Sequence, residues 1–364
     1  MASKADVPSV PALAASLGRL RRQDEPAFGG KSASLGELMA GGIPVPPGFA
    51  LSVGAFECFL AESGLQQRVA GALARMTAGD LDSVAGASKA ISEALRFAPV
   101  PEAVRGEIAE RYAALAAVAG EDEPAVAVRS SAVGEDSEEA TFAGQQETYL
   151  WVRGVDHICD AVRDCWTSLY SAPAISYRAR LGGGEQPEPA MGVTVQLMVD
   201  AAVSGVLFTC NPVSGDRSMV AINAAWGLGL AVVGGEVTPD DHLISKVTRE
   251  VVREHIHDKQ VEYVPDPGGH GAIRMEVPTE RRQVRCLDHD ALMALVDVAG
   301  RVQRHFGSHQ DVEWAIARGG AVPESLYVLQ SRPVTTLAAA QGPVARDALS
   351  LVMGTFGARH AQGG

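Results

Sequence analysis

The segment LGGGEQPEPA at 181–190 constrains the fold most, because the pattern of the chain changes across it. Three glycines and two prolines in these ten residues predict a linker. The chain before it is mainly helical in pattern, and the chain after it consists of short runs typical of strands. We therefore predict an α+β fold with an N-terminal lobe over 1–188, a C-terminal lobe over 189–336 and a tail over 337–364. A nucleotide site between two such lobes is a reasonable expectation.

Local patterns predict the individual elements. Apolar periodicity and helix-stopping residues predict helices at 32–40, 53–60, 103–118, 158–177 and 290–306. Strand-like runs occur at 125–129, 147–152, 193–199, 204–209, 219–226, 311–316 and 326–332, with more in the Val-rich stretch 242–285.

Composition excludes several classes of partner. Of 364 residues, 46% are apolar, which allows a substantial core, and a formal charge of −13 argues against nucleic acid or an anionic membrane. No run approaches the roughly 20 apolar residues of a membrane span, so we expect a soluble, cytoplasmic protein. The cysteines form no C-x-x-C pair, which favours reduced thiols: Cys58, Cys159, Cys165, Cys210 and Cys286.

The glycine-rich sequence around Lys31 invites comparison with a phosphate-binding P-loop. That motif requires a glycine where this chain has Glu25, so the P-loop interpretation fails. What remains is Lys31 at the start of a predicted helix, where free N–H groups and the positive end of the helix dipole favour phosphate. The alternative is a surface lysine in a glycine-rich turn.

Arg129 ends the apolar strand AVAVR and begins the polar loop SSAVGEDSEEATFAGQQ (130–146). A loop of small and polar residues with two glycines can close over a triphosphate and exclude water. An ordinary mobile surface loop after a solvated arginine is the alternative.

The last two predicted strands carry polar residues on one face. Asp311 and Glu313 alternate with apolar residues, and so do Gln330 and Arg332. If the strands pair as a hairpin, two carboxylates, an amide and a guanidinium converge. Such hard oxygen ligands suit Mg²⁺, and the arginine would neutralise phosphate charge. The alternative is a solvated polar face with a cross-strand ion pair.

A phosphoryl-carrier reaction also needs a histidine nucleophile. None of the histidines considered lies in an exposed glycine-rich turn, so we interpret them as surface or hydrogen-bonded residues: His242, His255, His257 and His309.

Several segments, in order, resemble the ATP-binding domain of the pyruvate phosphate dikinase / phosphoenolpyruvate synthase family. They cover residues 28–336 and are FGGKSASLGEL (28–38), IPVPPGFAL (43–51), VAVRSSAVGEDSEEATFAGQQETYL (126–150), SGVLFTCNPVSG (204–215), WGLGLAVVGGEVTPD (226–240), QDVEWAI (310–316) and LQSRPVT (329–335). The resemblance implies an ATP-grasp-like fold with two lobes and the nucleotide between them.

The resemblance also implies roles for individual residues. Lys31, Arg129 and Arg332 would contact the ATP phosphates as catalytic residues, and Glu313 and Gln330 would hold Mg²⁺, with Asp311 beside them. The remaining nucleotide contacts would come from Gly144 and Thr148 in the phosphate loop and from Gln196 near the adenine. Mn²⁺ or a monovalent cation would be further candidates as cofactors.

Two local departures from the family pattern occur. The family usually has GLGE where this chain has Gly227 to Leu230, so an acidic group is missing, and Glu236 is a candidate to replace it. His309 stands where the family commonly has proline, which we interpret as a loop detail.

Full-length relatives continue into a mobile domain with a phosphorylatable histidine and an acceptor domain, whereas about thirty residues follow Arg332 here. We therefore expect an ATP-binding subunit of a split dikinase, which converts ATP to AMP and phosphate. The β-phosphoryl group would pass to a histidine on a partner subunit that also carries the acceptor domain.

Among split relatives the chain is most similar in size and arrangement to the ATP-binding subunits of phenylphosphate synthases, which implies phenol as the acceptor. The alternatives are a split phosphoenolpyruvate synthase acting on pyruvate and a fragment of an antibiotic (rifampicin) phosphotransferase. A non-catalytic ATP-binding regulator and an ATP-grasp ligase belong to other functional classes.

Overall fold

A computed structural model describes residues 12–77, 79–134, 147–181 and 189–334. The strands are β1 (Ala14–Ser16), β2 (Gly48–Leu51), β3 (Val126–Ala132), β4 (Thr148–Val152), β5 (Met191–Leu197), β6 (Ala201–Phe208), β7 (Met219–Trp226), β8 (Asp240–Ser245), β9 (Val251–His255), β10 (Val261–Pro265), β11 (Ala272–Glu276), β12 (Gln310–Ala317) and β13 (Leu326–Pro333). The helices are α1 (Glu25–Phe28), α2 (Gly30–Ala40), α3 (Val53–Glu62), α4 (Gln66–Ala74), α5 (Leu81–Arg96), α6 (Glu102–Ala119), α7 (Val155–Ser168), α8 (Ala172–Leu181), α9 (Leu230–Val233), α10 (Thr279–Arg282) and α11 (His289–Phe306).

The first sheet has the strand order β1-β2-β5-β3-β4 and is antiparallel throughout. Apolar side chains of one of its faces, such as Val128 and Val195, form a core with helices α3 to α8. Trp166 of α7 is fully buried there and stacks on Phe59 at 5.2 Å between ring centroids. Burial of these large side chains provides the main stabilisation of this part of the molecule.

The second sheet has the order β13-β12-β6-β7-β8-β9, with the β10–β11 hairpin separate from it. Helix α11 covers one face, and it begins where Asp288 accepts a hydrogen bond from the backbone N–H of Ala291. It ends at Phe306, and the C-cap residue Gly307 has a φ of 70°, the left-handed conformation that glycine adopts readily.

Helix α2 joins the two sheets. Its apolar residues Leu35 and Leu38 belong to the core that α11 forms with the second sheet. At its other side the Ser32 hydroxyl bonds Thr194 of β5 at 2.7 Å. The helix that carries Lys31 is therefore held from both sides.

Most predicted elements are confirmed, but the helix predicted at 158–177 is broken. Helix α7 ends at Ser168 and α8 begins at Ala172. Pro173 lacks a backbone N–H and cannot continue a helix through this point. Helices α4 and α5 were not predicted.

The chain passes from the first sheet to the second between Leu197 and Ala201. Strand β5 pairs with β2 and β3 in the first sheet, whereas β6 belongs to the second sheet. The linker predicted at 181–190 falls mostly outside the described residues, and the division into lobes at 188 stays a prediction. None of the described helices is long and apolar enough to span a bilayer.

Candidate nucleotide-binding site

The predicted hairpin of the last two strands is present. Asp311 is opposite Arg332 and Glu313 is opposite Gln330 in the β12–β13 ladder. The Arg332 Nε donates to Asp311 Oδ2 at 3.2 Å. The four polar side chains predicted to share a face therefore lie in two adjacent cross-strand pairs.

Arg129 reaches this hairpin from the first sheet. Its Nη2 donates to Gln330 Oε1 at 2.6 Å and to Glu313 Oε2 at 3.1 Å, and its Nη1 donates to the Leu329 carbonyl at 3.0 Å. Its side chain is nearly buried, so these charge-assisted bonds are poorly screened by solvent. Arg129 thus connects the two sheets at the predicted site.

Asp311 is a buried carboxyl with an altered acidity. Burial raises the pKa of Asp311 to about 7, against the opposing effect of the Arg332 guanidinium. Among the described residues, Asp311 Oδ1 has no hydrogen-bond partner. A buried carboxyl whose pKa is raised toward neutrality beside an arginine is typical of a functional site.

Lys31 lies in the first turn of α2 and is buried. The turn packs tightly on β3, because a Cβ on Gly29 would lie 1.9 Å from the Ser131 carbonyl oxygen. Gly29 has a φ of 80°, which also disfavours other residues. Helix α2 contacts the hairpin as well, where the Ser34 hydroxyl donates to the Ser331 carbonyl at 2.8 Å.

The other predicted nucleotide contacts are on the first sheet. Thr148 is exposed and pairs with Arg129 across β4 and β3. Gln196 is buried, shares a sheet face with Arg129, and donates to the Pro46 carbonyl at 3.2 Å. Gly144 lies outside the described residues.

The start of β12 is fixed by residues that the sequence analysis did not single out. The backbone N–H of Gln310 donates to the Thr209 hydroxyl at 2.8 Å, and Lys246 Nζ donates to the Thr209 carbonyl at 2.5 Å. His309 Nδ1 is 2.9 Å from the same carbonyl. These contacts hold Asp311 in place. In the sequence, the segment FTCNP that contains Thr209 is indicated only by the family resemblance.

Leu230 begins α9, and Glu236 follows that helix. Glu236 accepts hydrogen bonds from the Tyr263 hydroxyl at 2.7 Å and from Arg274 Nε at 3.2 Å. It thus binds groups of the β10–β11 hairpin, and its role as a replacement for the family's glutamate stays a prediction.

The residues present suit a divalent cation held partly by its substrate. The Arg129 guanidinium bonds Glu313 Oε2 and Gln330 Oε1, the two oxygens predicted to hold the metal. Across the described ranges no group of three or more His, Cys, Asp or Glu could hold a metal. Mg²⁺ needs only one or two protein groups when substrate phosphates complete its coordination.

Comparison with known proteins identifies the family to which this chain belongs. The family model of the pyruvate phosphate dikinase AMP/ATP-binding domain matches residues 25–351. The chain belongs to this family, and its α+β fold is ATP-grasp-like.

Similar curated proteins include phosphoenolpyruvate synthases. Probable phosphoenolpyruvate synthases of Methanocaldococcus jannaschii and Methanothermobacter thermautotrophicus are both 40% identical, over 88% and 87% of this chain. The phosphoenolpyruvate synthase of Pyrococcus furiosus is 35% identical over 87% of it. The matched regions make up 26%, 45% and 43% of these relatives, respectively.

Proposed function

We propose that this chain binds MgATP between its two sheets and transfers the β-phosphoryl group to a histidine outside the ATP-binding domain. The observation that carries the proposal is the Arg129 bridge to Glu313 and Gln330, beside the Asp311–Arg332 pair. Two guanidiniums, two carboxyl groups and an amide converge at one place, and phosphoryl transfer depends mainly on positioning and charge neutralisation.

Lys31, Arg129 and Arg332 would bind the triphosphate. Glu313 and Gln330 would hold Mg²⁺, which neutralises phosphate charge when bound, and Mn²⁺ suits the same oxygens. A monovalent cation stays a further candidate. Gln196 would contact the adenine, while Thr148 and Gly144 would line the phosphates. When ATP binds, phosphate oxygens would take over the Arg129 hydrogen bonds that Glu313 and Gln330 accept in this structure.

The chemistry proposed for the site gives AMP and phosphate. A histidine nitrogen forms a bond to the β-phosphorus, the bond from that phosphorus to the α-phosphate oxygen breaks, and AMP leaves. Water cleaves the bond between the β- and γ-phosphoryl groups, which releases phosphate. Arg129 and Arg332 would stabilise the charge that develops on the phosphoryl oxygens.

A partner subunit carrying the histidine and the acceptor domain would complete the reaction. The names of the similar curated proteins favour pyruvate as the final acceptor. Phenol, expected from the similarity to phenylphosphate synthases, is the second candidate, with rifampicin as a third. These acceptors can be separated by supplying each to the charged partner.

Variants of the site test the proposal against a non-catalytic ATP-binding regulator. We expect Glu313→Ala and Arg332→Ala to abolish phosphoryl transfer while circular dichroism shows that both variants keep the fold. Arg318→Ala, at an exposed ion pair with Asp200 just after β12, is the matched control and should retain transfer. Near-normal transfer in both site variants would show that these residues do not form the transfer site. If the wild type transfers no phosphoryl group to any partner, the non-catalytic regulator is favoured.

A further inference from the structure

A cavity lies on the opposite face of the β12–β13 hairpin from Asp311 and Gln330. It has a volume of about 270 Å³ and is bounded by the start of α2, the 3-10 turn Arg22–Asp24, and the ends of β12 and β13. Gln310 and Ser331, which line it, alternate along their strands with Asp311, Gln330 and Arg332. The cavity is therefore separate from the nucleotide site but shares its two strands.

The neutral polar groups of this cavity bond one another. The Ser331 hydroxyl donates to Gln310 Oε1 at 3.0 Å, and Gln310 Nε2 donates to the Ser308 hydroxyl at 2.8 Å. The Ser34 hydroxyl donates to the Ser331 carbonyl. These groups form a preformed polar wall and leave little hydrogen-bonding capacity for a ligand.

Of the charged groups in the wall, Glu37 is already engaged. Its Oε1 accepts from the Arg22 backbone N–H at 2.8 Å, and its Oε2 is 3.3 Å from His305 Nε2. Glu37 therefore fixes the wall and does not offer a free carboxylate oxygen.

Two opposite charges remain available at the cavity. Within the described parts of the chain, the Arg22 guanidinium makes no hydrogen bond or ion pair. Glu25 uses Oε1 to accept from the Gly134 N–H at 3.3 Å, and its Oε2 accepts from no described group. Arg22 and Glu25 also do not pair with each other within 4.0 Å. The cavity thus offers one cation and one anion at separate places, with Phe306 and Pro333 as apolar surface beside them.

We infer that this cavity binds a free α-amino acid. The carboxylate would pair with the Arg22 guanidinium, the ammonium group would pair with Glu25, and the side chain would lie against Phe306 and Pro333. A guanidinium and a carboxylate are the groups that recognise the two ends of such a zwitterion. The volume is at the small end for ligand pockets, which suits a ligand of few atoms.

The binding inference itself does not rest on the proposed function, because none of its contacts is among the residues assigned to ATP.

The test is a thermal-shift and calorimetric screen of the proteinogenic amino acids at millimolar concentration against the full chain. We expect at least one to raise the melting temperature. Its affinity should fall about tenfold or more in Arg22→Gln and in Glu25→Gln, since each removes one charged contact. Arg68→Gln, at an exposed arginine of α4, and Glu313→Ala should bind it as the wild type does. If no amino acid binds, or if both cavity variants bind with unchanged affinity, the inference is wrong.

Discussion

Arg129 and Gln330 lie 201 positions apart in the chain and on different sheets, yet Arg129 Nη2 is 2.6 Å from Gln330 Oε1. The same nitrogen also bonds Glu313. Together with the bond from Arg129 Nη1 to the Leu329 carbonyl, these contacts hold the guanidinium against the β12–β13 hairpin.

Arg129→Lys tests that geometry with the charge conserved. A lysine ammonium lacks the planar fork of donors that reaches the Leu329 carbonyl and the two side chains together. We expect phosphoryl transfer to fall by about 10²–10³-fold, the usual range for loss of one oriented donor to a transition state. The measurement is single-turnover transfer from labelled ATP.

Arg153→Lys is the matched control for that substitution. Arg153 follows β4 and pairs with Glu121 at the surface. Transfer by this variant should match the wild type. Equal loss in both variants would show that the effect of Arg129→Lys is not specific to the site.

Asp311 predicts a dependence of stability on pH. Its pKa rises on folding from 3.8 to about 7, so between these values the folded protein binds a proton that the unfolded chain has lost. This contribution is fully present below pH 3.8 and is lost as pH rises through 7. Its upper limit is about 4 kcal/mol, from three pKa units at 1.36 kcal/mol each.

Asp311→Asn isolates this contribution, because it keeps the shape of the side chain and removes the titration. The measurement is the free energy of unfolding in urea for wild type and variant between pH 5 and 8. The variant should gain stability relative to the wild type as pH rises. A difference that stays constant over this range would show that Asp311 does not titrate there.

Gly29 positions the helix that carries Lys31, which makes Gly29→Ala informative. The added Cβ would collide with the Ser131 carbonyl, and a φ of 80° is strained for alanine. We expect weaker MgATP binding and a lower melting temperature, because the first turn of α2 must move. Gly86→Ala is the control: this glycine is within α5 with nothing near its Cβ position, so alanine should stabilise by up to about 1 kcal/mol.

Asp240 and Lys259 form a fully buried ion pair that fixes the start of β8. Their atoms Oδ1 and Nζ are 2.5 Å apart, and Asp240 Oδ2 also accepts from the Cys286 N–H at 2.9 Å. Lys259→Met leaves a buried carboxylate without its cation and should lower the unfolding free energy by about 3–5 kcal/mol. Lys89→Met, at an exposed position of α5, should change it little. A loss below about 1 kcal/mol at Lys259 would contradict the pairing.

The sequence predicts the local parts of this structure well and the long-range parts poorly. Alternation along 311–316 and 326–332 depends only on neighbouring residues, so the hairpin and its polar face follow from the pattern. The bond from Arg129 to the Leu329 carbonyl depends on how two sheets pack, and no local pattern encodes it. Pro173 indicates a break in the helix, but the apolar periodicity on both sides of it predicts one continuous helix.

The nucleotide contacts predicted on the first sheet also depend on long-range pairing that local sequence patterns do not encode. Gln196 shares a face with Arg129 because their strands pair, and the sequence alone did not show that pairing. The family resemblance supplied the residue instead. Conversely, Thr209 and Lys246, which fix the start of β12, have no distinguishing local pattern, since hydroxyl and lysine residues are common at strand ends.

The most direct test of the proposed function is transfer from ATP labelled at either the β- or the γ-phosphate, in the presence of a partner that carries the acceptor histidine. We expect β-label on the partner histidine with release of unlabelled AMP, and γ-label in free phosphate. Glu313→Ala should give neither product, while Glu276→Ala, at an exposed glutamate of β11, should give both. Retention of γ-label on the partner, with ADP as the product, would contradict the proposed dikinase reaction.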